Sequence, residues 1–159
     1  MGRGRQVEIV RATSRSHLDA ARLLFEEYAA SLGIDLEFQG FAAELAGLPG
    51  EYAPPSGALF LATDGDDAVG CVALRPLAHP VVAEVKRLYV VPAARNKGLG
   101  VRLAETAIGA ARAAGYARVR LDTLSSMKAA QRLYEGLGFH DIGAYRHNPH
   151  EARYLELDL

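Results

Sequence analysis

Arg95-Asn96-Lys97-Gly98-Leu99-Gly100 packs two cations and two side-chain-free positions into six residues. Such residues suit an anion: the cations supply charge, and glycine lets a bulky phosphate come close to backbone amides. The stretch lies between an apolar run, Leu88-Tyr89-Val90-Val91, and an amphipathic one, Val101-Arg102-Leu103-Ala104-Glu105. That order predicts strand, loop, then helix. The first amides of a helix lack intrahelical acceptors and the helix dipole adds partial positive charge there, so the junction is built for a phosphorylated ligand.

The rest of the chain must hold this junction in place. With 159 residues, it has the length of one domain and can bury a core of its own. Half of its residues are hydrophobic (50%) and 23% are charged, with a net charge of −1, so bulk electrostatic binding to nucleic acid or a membrane is not expected. No stretch reaches the length of a membrane span, and the N-terminus has no signal-peptide core. The one cysteine, Cys71, rules out an internal disulfide and reads as a small buried hydrophobe. These features lead us to expect a cytoplasmic protein. Residues 1–5, rich in Gly and Arg, read as a flexible terminus, and residues 6–159 as a single domain.

Periodicity supplies the elements. Val7 and Ile9 open a first strand. Ser14 or Ser16 caps a helix to Leu32, stopped by Gly33, and Phe38 to Leu48 forms a weaker helix. Ala58–Thr63 and Ala68–Leu77 are strands joined by the turn Asp64-Gly65-Asp66-Asp67. Val82 to Val91 is the fourth strand and Gly98 to Ala114 a helix. Val119–Thr123 is the fifth strand and Met127–Leu137 a helix. Ile142–Tyr145 and Ala152–Leu157 are closing strands. The fold class is α+β.

Three phosphate-binding loops compete. A Walker loop needs Lys followed by Ser or Thr after its glycines, which this chain lacks. A dinucleotide fingerprint needs a third glycine where Leu103 stands, and antiparallel hairpins precede the motif here. The third pattern, Arg/Gln-x-x-Gly-x-Gly/Ala at a strand-to-helix junction, is matched in full by Arg95, Gly98 and Gly100. It resembles the acyl-CoA pyrophosphate loop of the GNAT superfamily of N-acetyltransferases. Downstream, Asp122-Thr123, Ala130, Leu133-Tyr134 and Gly138-Phe139 resemble that family's fifth-strand and fourth-helix signature. The similarity is most specific from Glu84 to Phe139. The alternative is a Gly-rich structural turn.

The resemblance implies a GNAT-like acyl-CoA N-acyltransferase fold: a mixed, mostly antiparallel central sheet splayed between strands four and five and flanked by about four helices. It implies an N-acetyltransferase moving an acetyl group from acetyl-CoA directly to a primary amine (a small amine, an amino acid or a protein amine) through a ternary complex, with no metal. On this resemblance, the pyrophosphate lies on Arg95, Asn96, Lys97, Gly98, Leu99, Gly100 and Val101. Backbone groups of Leu88, Tyr89 and Val90 pair with the pantetheine arm. Tyr134 corresponds to the tyrosine that protonates the departing sulfur; the alternative is a core aromatic with a satisfied hydroxyl. Glu84, eleven positions before Arg95, corresponds to a glutamate base whose pKa a partly desolvated cleft would raise. Its alternative is a strand-end glutamate in solvent or paired with Lys86 or Arg87. The family's pantetheine-contacting Asn is replaced by Met127, so Ser125 or Ser126 would supply the polar group.

On the acceptor side, Tyr28, Phe38, Tyr52, Arg75, Tyr145 and His147 are candidate lining residues, with Arg75 a candidate carboxylate binder. His147 and His150, three apart and without cysteines, do not suggest a metal site. A homodimer through the late strands is compatible with the sequence, and nothing in it demands one. Two other readings are a non-catalytic acyl-CoA-binding regulatory module and a nucleotide-binding module.

Overall fold

Alternate residues of the hairpin strands β2 (Ala58–Asp64) and β3 (Asp67–Pro76) are apolar on both faces, so the sheet they found must be covered on both sides. Ala58, Phe60, Val72 and Leu74 face one core, and Leu59, Leu61, Cys71 and Ala73 the other. The computed structural model describes residues 6–159, apart from the side chain of Phe38. The expected loose terminus, residues 1–5, and Phe38 as a lining residue lie outside what it describes.

β1 (Glu8–Arg11), β2, β3 and β4 (Val82–Val90) run antiparallel to one another. β5 (Arg118–Leu124) is parallel to β4, and β6 (His140–Ile142) and β7 (Ala152–Asp158) complete a sheet of order β1-β2-β3-β4-β5-β7-β6. One face carries α3 (Leu99–Ala113) and α4 (Lys128–Gly136), whose Leu103, Ala107 and Tyr134 join the first core. The other carries α1 (Arg15–Leu32) and α2 (Phe41–Ala46), with Ala21, Leu24 and Phe25 in the second. Each fully buried large side chain, such as Leu103, Leu121 or Phe25, contributes about 1.5–3 kcal/mol.

Ser14 caps α1 through the His17 amide, and Gly33 ends it in the left-handed conformation. Two expectations change. The helix expected over Phe38–Leu48 is split: Glu37–Gln39 makes one 3-10 turn, Gly40 at φ 70° breaks the path, and α2 spans only Phe41–Ala46. The strand expected at Ile142–Tyr145 comes earlier. Gly138, at φ 99°, turns the chain straight out of α4, Phe139 enters the core, and β6 starts at His140.

One irregularity in β4 shapes the molecule. Its register with β3 shifts between Cys71 and Ala73, opposite Arg87, which stands at φ 60°. A non-glycine residue there costs on the order of 1–3 kcal/mol. Two hydrogen bonds of 2.9 Å from Arg87 to the Glu44 carboxylate, and the Phe41 ring 5.1 Å from its guanidinium, hold it in place. Beside this bulge β4 leaves β5: parallel pairing covers only Val82–Glu84 against Arg118–Arg120, and β5 then continues to Leu124 with β7 alone. The sheet splits open past Glu84.

Candidate active site

Two cavities meet at the split. The larger is a groove of about 680 Å³ between the end of α1, the outer half of β4, and the starts of α3 and α4. Gly98 precedes α3 at φ 77° with no side-chain cap, and the first helical bond runs from the Arg102 amide to the Gly98 carbonyl. The amides of Leu99, Gly100 and Val101 are thus left without intrahelical acceptors. A Cβ on Gly100 would stand 3.0 Å from Leu133 Cδ1, so glycine lets α3 and α4 approach where they wall the groove. Arg95 is the loop's fixed cation. Its Nε donates to the Val90 carbonyl at 2.9 Å, and its guanidinium lies 5.6 Å from the centre of the Tyr89 ring. Free amides, a cation and an elongated groove suit a phosphorylated ligand with a long arm.

The Val91 amide donates to Val69 on β3. Strand alternation therefore turns the backbone groups of Tyr89 toward β3, and those of Leu88 and Val90 toward the split. Tyr89 contributes to the groove with its side chain, which is braced by its hydroxyl's 2.7 Å bond to Glu27 and by edge contact with Tyr28.

The smaller cavity, a chamber of about 50 Å³, joins the groove at Tyr28, Leu32, Leu88 and Met127. Tyr134 and Thr123 line it. Tyr134 is buried with its ring edge-on to Phe139, and its hydroxyl makes no hydrogen bond among the described residues. Burial, then the charges of Tyr28 and Asp122, push its pKa above that of an ordinary phenol, so it holds its proton at neutral pH. Thr123 Oγ1 is enclosed without a partner among the described residues.

Glu84 sits behind the chamber, fully buried, and lines neither cavity. Its Oε1 accepts from Arg75 Nε at 2.9 Å, with Lys86 Nζ at 3.8 Å. Its Oε2 accepts from Tyr145 at 2.7 Å and from Arg146. Burial alone would raise its pKa, but Lys86, Arg146, Arg75 and the Tyr145 hydroxyl outweigh it and the net shift is downward. This reverses the expected direction. A carboxylate so surrounded is a weak proton acceptor, and it anchors the loop carrying Tyr145 and Arg146 to the sheet.

Of the residues expected to hold the cofactor, Leu88, Tyr89, Val90, Arg95, Asn96, Gly98, Leu99, Gly100 and Val101 line the groove together. Lys97 does not: it faces a separate pocket of about 230 Å³ with Asp64 and Arg102. Ser125 does not either. Its amide binds Glu151 and its carbonyl receives Gln131, while Ser126 lines the groove instead. Arg75 is committed to Glu84 and Glu51. Tyr52 is buried beside α2, and the neighbour of His147, Asn148, reaches the chamber in its place. Sequence reasoning passed over Lys128 in the groove and Gln39, Lys86 and Asn148 in the chamber, and gave Asp122 no role beyond its motif. β4 also carries Glu84 and Arg87, and β5 Arg118 and Arg120, so nothing in the strand sequences sets Lys86 and Asp122 apart. Among the described residues no cluster of His, Cys, Asp and Glu is placed to hold a metal ion.

Residues 19–139 match the Acetyltransferase (GNAT) family. An uncharacterised N-acetyltransferase of Schizosaccharomyces pombe is 41% identical over 144 residues, covering 89% of this chain and 88% of its own. The fold matches that of an acetyltransferase from Streptococcus agalactiae at TM-score 0.80, with 24% identity over 96% of this chain and 98% of the other. A GNAT acetyltransferase from Elizabethkingia anophelis, solved with acetyl-CoA bound, matches at TM-score 0.56 and 25% identity over 65% of this chain and 77% of its own.

Proposed function

The chain belongs to the acetyltransferase (GNAT) family and is an acyltransferase, and from that premise we propose that it moves an acetyl group from acetyl-CoA directly to a primary amine within a ternary complex. The observation that carries this reading is the Tyr134 hydroxyl: on a buried side chain, protonated and without a protein partner among the described residues, in a chamber that shares wall residues with the groove. A hydroxyl that no protein group engages is free to donate to a ligand in the chamber.

Acetyl-CoA supplies the acetyl group as a thioester, which an amine can attack without help from an enzyme nucleophile. The amides of Leu99, Gly100 and Val101, with Arg95, hold the pyrophosphate. The split-facing groups of Leu88 and the Val90 amide align the pantetheine arm; the Val90 carbonyl already serves Arg95. The acceptor ammonium loses one proton to chamber water and attacks the carbonyl carbon. As the C–N bond forms and the C–S bond breaks, Tyr134 gives its proton to the sulfur and regains one from the acylated nitrogen, so one proton in total reaches solvent. Glu84 positions the Tyr145–Arg146 loop over the chamber. The lone thiol, Cys71, is buried and donates to the Arg87 carbonyl at 3.2 Å, which suits a reducing cytoplasm and leaves no role for it as a nucleophile.

The test is thiol release from acetyl-CoA across a panel of primary amines. Amine-dependent release is expected. Acetyl-CoA binding without release for any amine would instead describe a non-catalytic acyl-CoA-binding module.

A further inference from the structure

Lys86 on β4 and Asp122 on β5 line one chamber from the two strands that the split separates. The last parallel pair is Glu84 with Arg120, so two residues further the same register sets Lys86 against Asp122, on the face that carries Glu84. In a closed sheet these opposite charges would meet as a cross-strand ion pair. Because β4 leaves β5 past Glu84, they make no ion pair with each other, and both line the chamber.

Neither charge is well satisfied elsewhere. Lys86 Nζ donates to Gln39 Oε1 at 2.9 Å and lies 3.8 Å from Glu84, though it carries three donors and its side chain is 4% exposed. Asp122, 11% exposed, has only long contacts, 3.9 Å to Arg146 and 3.5 Å to Asn148. Arg87, the other cation on the chamber wall, is spent on Glu44. Asp122 is the one carboxylate among the described lining residues. A ligand bringing a negative charge to Lys86 and a positive one to Asp122 completes both.

We infer that the acceptor is a small amino acid, its carboxylate on Lys86 and its ammonium on Asp122. The polarity follows from charge: the carboxylate meets Lys86, the lining cation not spent on Glu44, and the ammonium meets the one carboxylate among the described lining residues, in the chamber that Tyr134 also lines. The 50 Å³ chamber, walled by Leu32, Ile34 and Leu36, suits a small molecule. This inference rests on the acetyl-transfer reading above.

The test compares each of a set of amino acids with its decarboxylated amine, and with a peptide N-terminus, by thiol release. For the wild-type protein kcat/KM is expected to favour the amino acid by about ten-fold or more, the size of one buried charge-assisted contact. Lys86→Met is expected to collapse that ratio toward one through the amino acid's KM. Asp122→Asn is expected to lower kcat/KM for both members of a pair. Melting temperature and acetyl-CoA binding verify that each variant is folded, and the wild-type ratio needs no variant. Decarboxylated amines or peptides used as well as amino acids would overturn the inference and leave acetyl transfer standing. So would a ratio that Lys86→Met does not move. No thiol release with any acceptor would overturn both.

Discussion

The groove and the chamber share a boundary and are built from different materials. The groove is largely main chain: uncapped amides at the start of α3, the split-facing edge of β4, and small or apolar side chains, with Arg95 as its fixed cation. The chamber takes its charge from side chains of β4 and β5, Lys86, Arg87 and Asp122, with neutral Gln39 and Asn148 beside them, and these groups are tied to further charged residues behind its wall. A site made of backbone recognises what is common to a ligand class. A site made of paired charges recognises one arrangement of charge and is sensitive to each member. The groove therefore reads as the general half of the enzyme and the chamber as the particular half.

That contrast can be broken by substitution. The largest effect is expected at the junction: Tyr134→Phe should lower kcat by about 10²-fold or more while leaving the Kd for acetyl-CoA nearly unchanged. Steady-state kinetics with calorimetry measures both. Full turnover in the variant would remove Tyr134 from the reaction. Next, Glu84→Gln leaves Arg75, Arg146 and Lys86 without their shared anion and should cost roughly 3 kcal/mol in urea unfolding, because breaking a buried pair strands its partners. Acetyl-CoA affinity, which the proposed function assigns to the groove, should hold. A loss of affinity equal to the loss of stability would show that the two cavities are one unit.

Gly98→Ala reverses the pattern. At φ 77° an alanine costs about 1–2 kcal/mol of backbone energy, so acetyl-CoA binding should weaken while the acceptor's KM stays close to the wild-type value. The smallest effect is on acid stability. The folded pKa of Glu84 lies below its unfolded value, so its contribution is fully present above the unfolded pKa of about 4.3 and is lost as pH falls through the folded one. Urea midpoints between neutral pH and about pH 3 should fall more steeply for the wild type than for Glu84→Gln.

What could be read in the sequence follows the same division. Gly98 and Gly100 were informative because a left-handed residue and a close helix approach each favour glycine at a local position. The strands and helices followed from apolar spacing, and the errors came where a glycine redirected the chain, at Gly40 and Gly138. The chamber was hidden because its members meet only in three dimensions. Arg146 and Tyr145 reach Glu84 from across the sheet, and Gln39 reaches Lys86 from another connection. Counting burial without those cations gave Glu84 a raised pKa, and Arg75 appeared free for a ligand because Glu84 and Glu51 were not yet beside it. Lys97 shared the loop's composition, but the chain's turn at Asn96, φ 65°, leads it to the far side.

Direct transfer is the central claim, and acetyl-CoA carrying a labelled acetyl group tests it. The protein is mixed with the labelled donor, first alone and then with a primary amine, and the label is followed into protein, product and residual donor. The account predicts no label on the protein at any time, and label in an N-acetylated product matched one-to-one by free thiol only when amine is present. Label covalently held by the protein, or label that stays on the donor with every amine supplied, would contradict it.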